Sequence, residues 1–439
     1  MVQLNESMME RYEIAARRPE SLRAVLIGAH THLLGCAARA LEEKNIGAKC
    51  VGAGADRLRA QDGMFTCLIR TGGRRQERVI QSIVSATGDK SEMAQIAQGA
   101  RMDQYIMAAD AGDEDYAVLC AMLKARFEAG HAAPKLYLLS ERAGDLRTDG
   151  LRAVLAAAVG AAEWIENMRI IRVLTDHLCG ALNAQETAIE QRAMNYRDDF
   201  LMWAEERLML TADCENELFP AADFEAACEK KKRIFDAAAF LIAPMGYLCG
   251  MRSYAEAMAD EQIRVFAAHA FYDELLPALP WAKEQIADDV ICAFDRLSEP
   301  MNAVPLTTGV GYLLSGASGG ILPAMRAYAR QEYDVQPRLA MALSAAIMLY
   351  CGARMEKDGL YRVLRGEDRD VLRDDPTFLA AFSQMSHDMP AESIAYAVLA
   401  DRGLWGCDLR EIDGLEQRLT TDISAIQRIG VRETVRALL

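Results

Sequence analysis

The sequence lacks any apolar run long enough to cross a bilayer. Its two longest, residues 237–251 and 339–353, fall short of the roughly 20 residues a spanning helix needs, and the first contains Pro244. Both runs therefore predict buried core helices. The opening residues, MVQLNESMMERYEIAARRPE, are polar and charged, with none of the apolar centre of a secretory signal. The eleven cysteines form no C-x-x-C pair, so they read as reduced thiols in a cytoplasm, most of them small apolar fillers. Positive charge is also scarce: 49 Lys and Arg stand against 64 Asp and Glu, a net charge of −15. Phosphate binding rests on clustered cations, so nucleic acid is excluded as a partner. The one dense basic run, Lys230-Lys231-Lys232-Arg233, reads as a solvated helix face. No Walker loop and no nucleophile elbow is read in the chain.

The hydrophobic fraction of 51% with 26% charged residues is that of a globular protein, and 439 residues suggest two domains. Residues 23–28, RAVLIG, form a β-rich apolar run ending in glycine, followed by the helical pattern LLGCAARALEEKN. A strand, a turn and a helix open a dinucleotide-binding βαβ unit. Further strands are expected at 48–52, 64–70, 77–84, 104–108 and 135–139. An amphipathic helix at 116–128, with Val118, Leu119, Met122, Leu123 and Phe127 on its apolar side, separates the last two. This alternation predicts a mainly parallel α/β sheet of the Rossmann type. Beyond residue 155 helical periodicity takes over, at 161–182, at 196–210 and then to the C-terminus. Asp375 before Pro376-Thr377, and Pro390 before AESIAYAVLA, mark later helix starts. The expected organisation is a Rossmann-like α/β domain, residues 1–223, and an all-α domain, residues 224–439.

The most specific stretch is Lys231–Met258, KKRIFDAAAFLIAPMGYLCGMRSYAEAM. It resembles the opening helix of the catalytic domain in the tagaturonate reductase (altronate oxidoreductase) branch of the mannitol dehydrogenase family. The likeness continues through Arg296, Pro300, Ile321-Leu322-Pro323, the segment 337–352 and the tail LWGCDL, DGLEQRLTTDISAI and RETVRALL. In the N-terminal half it is patchier. There Gln61-Asp62-Gly63-Met64-Phe65-Thr66 resembles the family's Q-D-G-x-Y-T, while Glu141 and Asp176 stand where the family has acidic residues.

That resemblance implies an NAD- or NADP-dependent oxidoreductase that interconverts a ketone and a secondary alcohol of a sugar acid or polyol. The family's helix carries K-x-x-x-x-N-x-x-H, in which the lysine is the acid/base group and the other two donate to the oxygen that gains charge. The same spacing falls on Lys231, Asp236 and Ala239. An ionised aspartate only accepts hydrogen bonds, and alanine offers none. The candidate catalytic residues are therefore Lys231 and Asp236. Lys231 is read either as a base or as a surface remnant, its flanking cations favouring an exposed face. The resemblance also places Glu299, Val304, Tyr312 and Gly316 where the family has asparagine, histidine, asparagine and lysine, so the motif is eroded.

On the cofactor side the family shows G-x-G-x-F-x-R-A, and this chain reads Gly28-Ala29-His30-Thr31-His32-Leu33-Leu34-Gly35. Gly28 survives, whereas His30 brings a Cβ to the place where a diphosphate needs bare backbone. Asp56 suits a ribose hydroxyl or an ordinary loop, and Asp62 falls in the family's Q-D-G motif. Gly28, His30, Asp56 and Asp62 are thus the cofactor-side candidates. No metal site is expected. Two readings stay open: a divergent dehydrogenase, or a non-catalytic descendant (a pseudoenzyme) that binds a small molecule or a partner protein.

Overall fold

The computed structural model describes residues 19–28, 33–60, 62–71, 74–142, 148–179, 195–196, 198–204, 218–220, 224–300, 304–307, 312–365 and 368–439. The chain divides into two compact units, Met1–Cys228 and Glu229–Leu439. The boundary expected near residue 223 lies outside the described residues.

The N-terminal unit is built on one large sheet. Its strands are β1 (Ser21–Ile27), β2 (Ile46–Val51), β5 (Ile83–Thr87), β6 (Gln104–Ala108), β7 (Lys135–Ser140), β8 (Arg169–Cys179), β10 (Asp198–Ala204) and β11 (Leu218–Pro220). The strand order is β11-β10-β8-β7-β6-β1-β2-β5. From β5 to β8 every pairing is parallel. Counting those parallel strands along the chain gives the spatial order 3-2-1-4-5-6, the order of a doubly wound dinucleotide-binding sheet. The reversal falls between β1 and β6. Strands covered on both faces read as continuous apolar runs, which is why SLRAVLI and KLYLLS were legible as strands. The helices α1 (Leu33–Glu43), α2 (Ala55–Arg59), α3 (Lys90–Ala97), α4 (Asp113–Glu128) and α5 (Asp149–Val159) belong to the same unit. Ala37, Ala38 and Leu41 of α1 pack into the core with Leu26, Ala48, Ile106 and Leu139 of the strands.

Three sequence expectations fail in this unit. Residues 161–182 and 196–210 were expected to be helical, but β8 and β10 occupy most of their described parts and pair antiparallel. In β8, residues 173–176 are all buried, and a continuous buried run carries no period that separates strand from helix. Likewise 77–84 is not one strand. β3 (Phe65–Thr71) and β4 (Arg74–Ile80) form a hairpin within a second, small sheet that β9 (Asn195–Tyr196) completes, and the chain crosses to β5 at Gln81-Ser82. There the Ser82 hydroxyl donates to Ala38 O at 2.6 Å and the Gln81 N–H donates to the Glu42 carboxylate, ending the ladder.

The C-terminal unit is mostly helical. A π-helical turn, Lys231–Asp236, runs into α6 (Ala237–Leu248), of which residues 237–247 are all buried, Pro244 included. It packs against α10 (Pro337–Tyr350), buried from Leu339 to Tyr350. Both long apolar runs are therefore core helices, as expected, and apolar on every side because helices cover every side. Between them in sequence lie α7 (Tyr254–Ala259), α8 (Glu261–His269) and the short α9 (Leu313–Gly316). After α10 come α11 (Pro376–Phe382), started by the Asp375 carboxylate accepting from Thr377 N–H at 2.8 Å, then α12 (Ala391–Ala400) and α13 (Leu415–Arg436). The unit is not all helix, however: Arg354–Met355, Tyr361–Arg365 and Asp368–Val371 form a three-stranded antiparallel sheet. Among the described residues no helix is long and apolar enough to cross a membrane.

Candidate functional site

The site expected on the basic run is more buried than its sequence suggests. Lys231 is 6% exposed, and its Nζ donates to Asp236 Oδ1 at 2.7 Å. In a regular helix, residues five apart point about 140° away from one another, so this pair would not meet. The π turn bonds i to i+5 and brings them to one side; such turns gather at functional sites. The other cations of the run are half-buried and paired. Lys230 reaches Asp289 at 2.9 Å, while Lys232 and Arg233 share Glu229 at 3.1 and 3.0 Å. The expectation of a solvated face is corrected, and with it the exposed reading of Lys231. Three carboxylates shared among the four cations let the run sit against protein.

Ala239 is 1% exposed on α6, within the same helical segment as Lys231 and Asp236. Val304, also 1% exposed, accepts at its carbonyl from Tyr254 N–H at 3.0 Å. Sequence reasoning missed Tyr254. It is 1% exposed, its hydroxyl has no hydrogen-bond partner among the described residues, and burial, with the Asp236 charge second, pushes its phenol well up. Tyr312 starts α9 with a left-handed backbone, φ 68°, and the Leu314 and Ser315 N–H groups donate to Asp374 Oδ2 at 2.8 and 3.2 Å. Beyond α9 the chain returns to the π turn: a Cβ on Gly319 would lie 3.0 Å from Lys232 Cδ, and one on Gly320 3.6 Å from Ala237 Cβ. Around Gly316 a Cβ would meet nothing within 4 Å. Contrary to expectation, Gly316–Gly320 does read G-x-S-x-G, yet it lies between two helices and not at a strand-to-helix elbow.

The cofactor-side candidates belong to the N-terminal unit. Gly28 ends β1 with φ +82°, and its N–H donates to Val51 O at 2.8 Å. Gly52, at the end of β2, has φ +90°, and its N–H donates to Thr87 O at 3.3 Å. Against both lies the carboxylate of Asp115, 1% exposed in the first turn of α4, the helix that follows β6. A Cβ on Gly28 would come within 2.9 Å of Asp115 Oδ2, and one on Gly52 within 3.1 Å of Oδ1. Burial, with the Asp115 charge second, pushes the Cys50 thiol in β2 up to about 12.

Asp56 is exposed in the first turn of α2, and its Oδ2 would lie 3.5 Å from a Cβ on Gly88, just past β5. Asp62 is also exposed and lines a groove of about 610 Å³ together with Lys49, Arg59, Ser85, Thr87 and Glu92. His30 lies outside the described residues, as do His32 and Gln61. A diphosphate at a Rossmann loop needs bare backbone and no competing anion. With the Asp115 carboxylate against Gly28, the residues described here do not fit that group.

A parallel 3-2-1-4-5-6 sheet in one unit and a mostly helical second unit define a long-chain dehydrogenase fold. Among solved structures, mannitol 2-dehydrogenase of Pseudomonas fluorescens, in a ternary complex with NAD and D-mannitol, covers 96% of this chain and 95% of its own at TM-score 0.69 and 14% identity. A substrate-free D-sorbitol dehydrogenase covers 95% and 98%, also at TM-score 0.69 and 14% identity. No family model matches the chain. In sequence, altronate oxidoreductase of Klebsiella pneumoniae is 26% identical over 434 residues, covering 87% of each chain. That of Shigella flexneri is 24% identical over 433 residues with the same coverage. Over most of its length the chain is thus similar in sequence to altronate oxidoreductases, and its fold is that of the mannitol and sorbitol dehydrogenases.

Proposed function

We propose that the chain is a divergent oxidoreductase of the hexonate and polyol type, acting between a ketone and a secondary alcohol with an eroded catalytic motif. The observation that supports this reading is the Lys231–Asp236 pair, a 6%-exposed ammonium group 2.7 Å from a carboxylate, at the position of the family's acid/base lysine. A lysine without a role belongs in water, because burying its charge is costly even when paired. In the ketone-reducing direction, with hydride supplied to the carbonyl carbon by a weakly bound reduced nicotinamide dinucleotide, Lys231 would give a proton to the carbonyl oxygen as that oxygen gains charge. Asp236 holds the ammonium group in place and balances its charge. Ala239 and Val304 add no donor, and each missing donor costs about 10²–10³ in rate. Turnover is thus slow, at least about 10⁴-fold below a site with both.

The test is oxidation of NADH or NADPH, supplied at millimolar concentration, with tagaturonate and then with other hexuronates and ketoses. The expected result is slow turnover that Lys231→Met abolishes. The second reading, a non-catalytic descendant that binds a small molecule or a partner, draws on Asp115 at Gly28 and on the apolar Ala239 and Val304. It takes over if wild type and Lys231→Met are both indistinguishable from a blank.

A further inference from the structure

We propose that Asp115 decides what the crevice of the N-terminal unit accepts: its carboxylate holds the ground at Gly28 and Gly52 that a diphosphate would need, and so weakens dinucleotide binding to the millimolar range. In a doubly wound sheet ligands bind outside the carboxyl ends of the strands, where the strand order reverses. Here that reversal is between β1 and β6. Gly28 closes β1, and Asp115 opens the helix after β6, so the carboxylate stands at that point. It is not a surface group that swings aside, being 1% exposed and within 3.2 Å, by both oxygens, of the place a Cβ on Gly28 would take.

Gly28 therefore has a use that does not involve a cofactor. Its left-handed backbone and missing Cβ leave the room that Asp115 fills. Charge acts in the same direction as shape. A diphosphate brought to this backbone would face the Asp115 carboxylate at close range, with Asp56 near Gly88 as a second anion in the same unit. Asp115 acts on binding and needs no turnover to do so; the proposal rests on the family reading only for the choice of NADH as the ligand to test.

The experiment titrates NADH by fluorescence into the full-length wild type, Asp115→Ala and Asp115→Asn at fixed ionic strength, with circular dichroism as the check on folding. Wild type should bind with Kd above about 1 mM. Asp115→Ala should bind at least tenfold tighter. Asp115→Asn, which keeps the volume and drops the charge, should fall between them. Where Asp115→Ala does not fold, the shift on Asp115→Asn alone decides. Low-micromolar binding by the wild type, or a folded variant that binds no better, overturns the proposal. An Asp115→Ala protein that binds NADH and reduces no hexuronate or ketose upholds this inference and counts against the oxidoreductase reading. Wild-type turnover with a micromolar KM for NADH does the reverse.

Discussion

Replacing Asp236 by asparagine isolates the ion pair at the centre of the candidate site. The side chain of Lys231 is 7% exposed and that of Asp236 25%, at a separation of 2.7 Å. Removing one partner of a buried pair costs about 3–5 kcal/mol, because the remaining charge is stranded in a poor solvent. Asp236 is one-quarter exposed, so water recovers part of that loss, and the asparagine oxygen still accepts from the ammonium group. About 2–3 kcal/mol remains. At roughly 2–4 °C per kcal/mol for a unit of this size, the melting transition of the C-terminal unit should fall by about 4–12 °C. Differential scanning calorimetry of wild type and variant reads this directly. The companion double variant, Lys231→Met with Asp236→Leu, removes both charges and should regain most of the loss, since apolar replacement of a buried pair is often neutral. A change under about 0.5 kcal/mol for Asp236→Asn would refute the reasoning, because it is the value of a solvated surface pair. So would a double variant as unstable as the sum of its singles.

Two further outcomes follow from local geometry. Asp260 accepts from Ile263 N–H at 3.1 Å at the start of α8 and from Arg432 at 3.0 Å. Burial works to raise its carboxyl, but these bonds and the arginine charge together outweigh it and hold it below its ordinary value. A depressed carboxyl stabilises the fold above its unfolded value, and the contribution is lost as pH falls through the folded one. Asp260→Ala should therefore cost about 1 kcal/mol near neutrality, and the difference from wild type should shrink toward zero as pH drops below about 4, measured by urea unfolding. Gly246→Ala should destabilise by about 1–2 kcal/mol in thermal unfolding despite alanine's better helix propensity, because the new Cβ would sit 2.8 Å from Ala257 Cβ and 3.0 Å from Leu306 Cδ1.

The parts of the fold legible in the sequence are those whose burial is either one-sided or bounded by turns. β1, β6 and β7 are short apolar runs between helices, and α4 carries the start expected of it within three residues. β8 failed because its residues 173–176 are buried without a break, and such a run carries no alternation to separate strand from helix. The small sheet at 354–371 was invisible for the opposite reason. Its strands carry charges on both faces, and they hold together by pairs such as Arg362 with Asp358 and Glu356, which no hydrophobic pattern reports.

At the candidate site, residue types were legible and their environment was not. Lys231 and Asp236 could be picked out by spacing, but spacing argues against their meeting unless a π turn intervenes, and nothing local in KKRIFD announces one. Burial of the lysine then depends on partners brought in by the fold: Glu229 and Asp289 take the flanking cations, and Gly319 and Gly320 let the chain close over Lys232. Gly28 is the mirror case. Read along the chain, a glycine after the first strand signals a cofactor loop, because that is where bare backbone meets a diphosphate. Read in three dimensions, the same bare backbone faces a carboxylate from a distant helix. A glycine records only that something must come close. Which group does so is set by the strand order, and in this chain the order places Asp115 there.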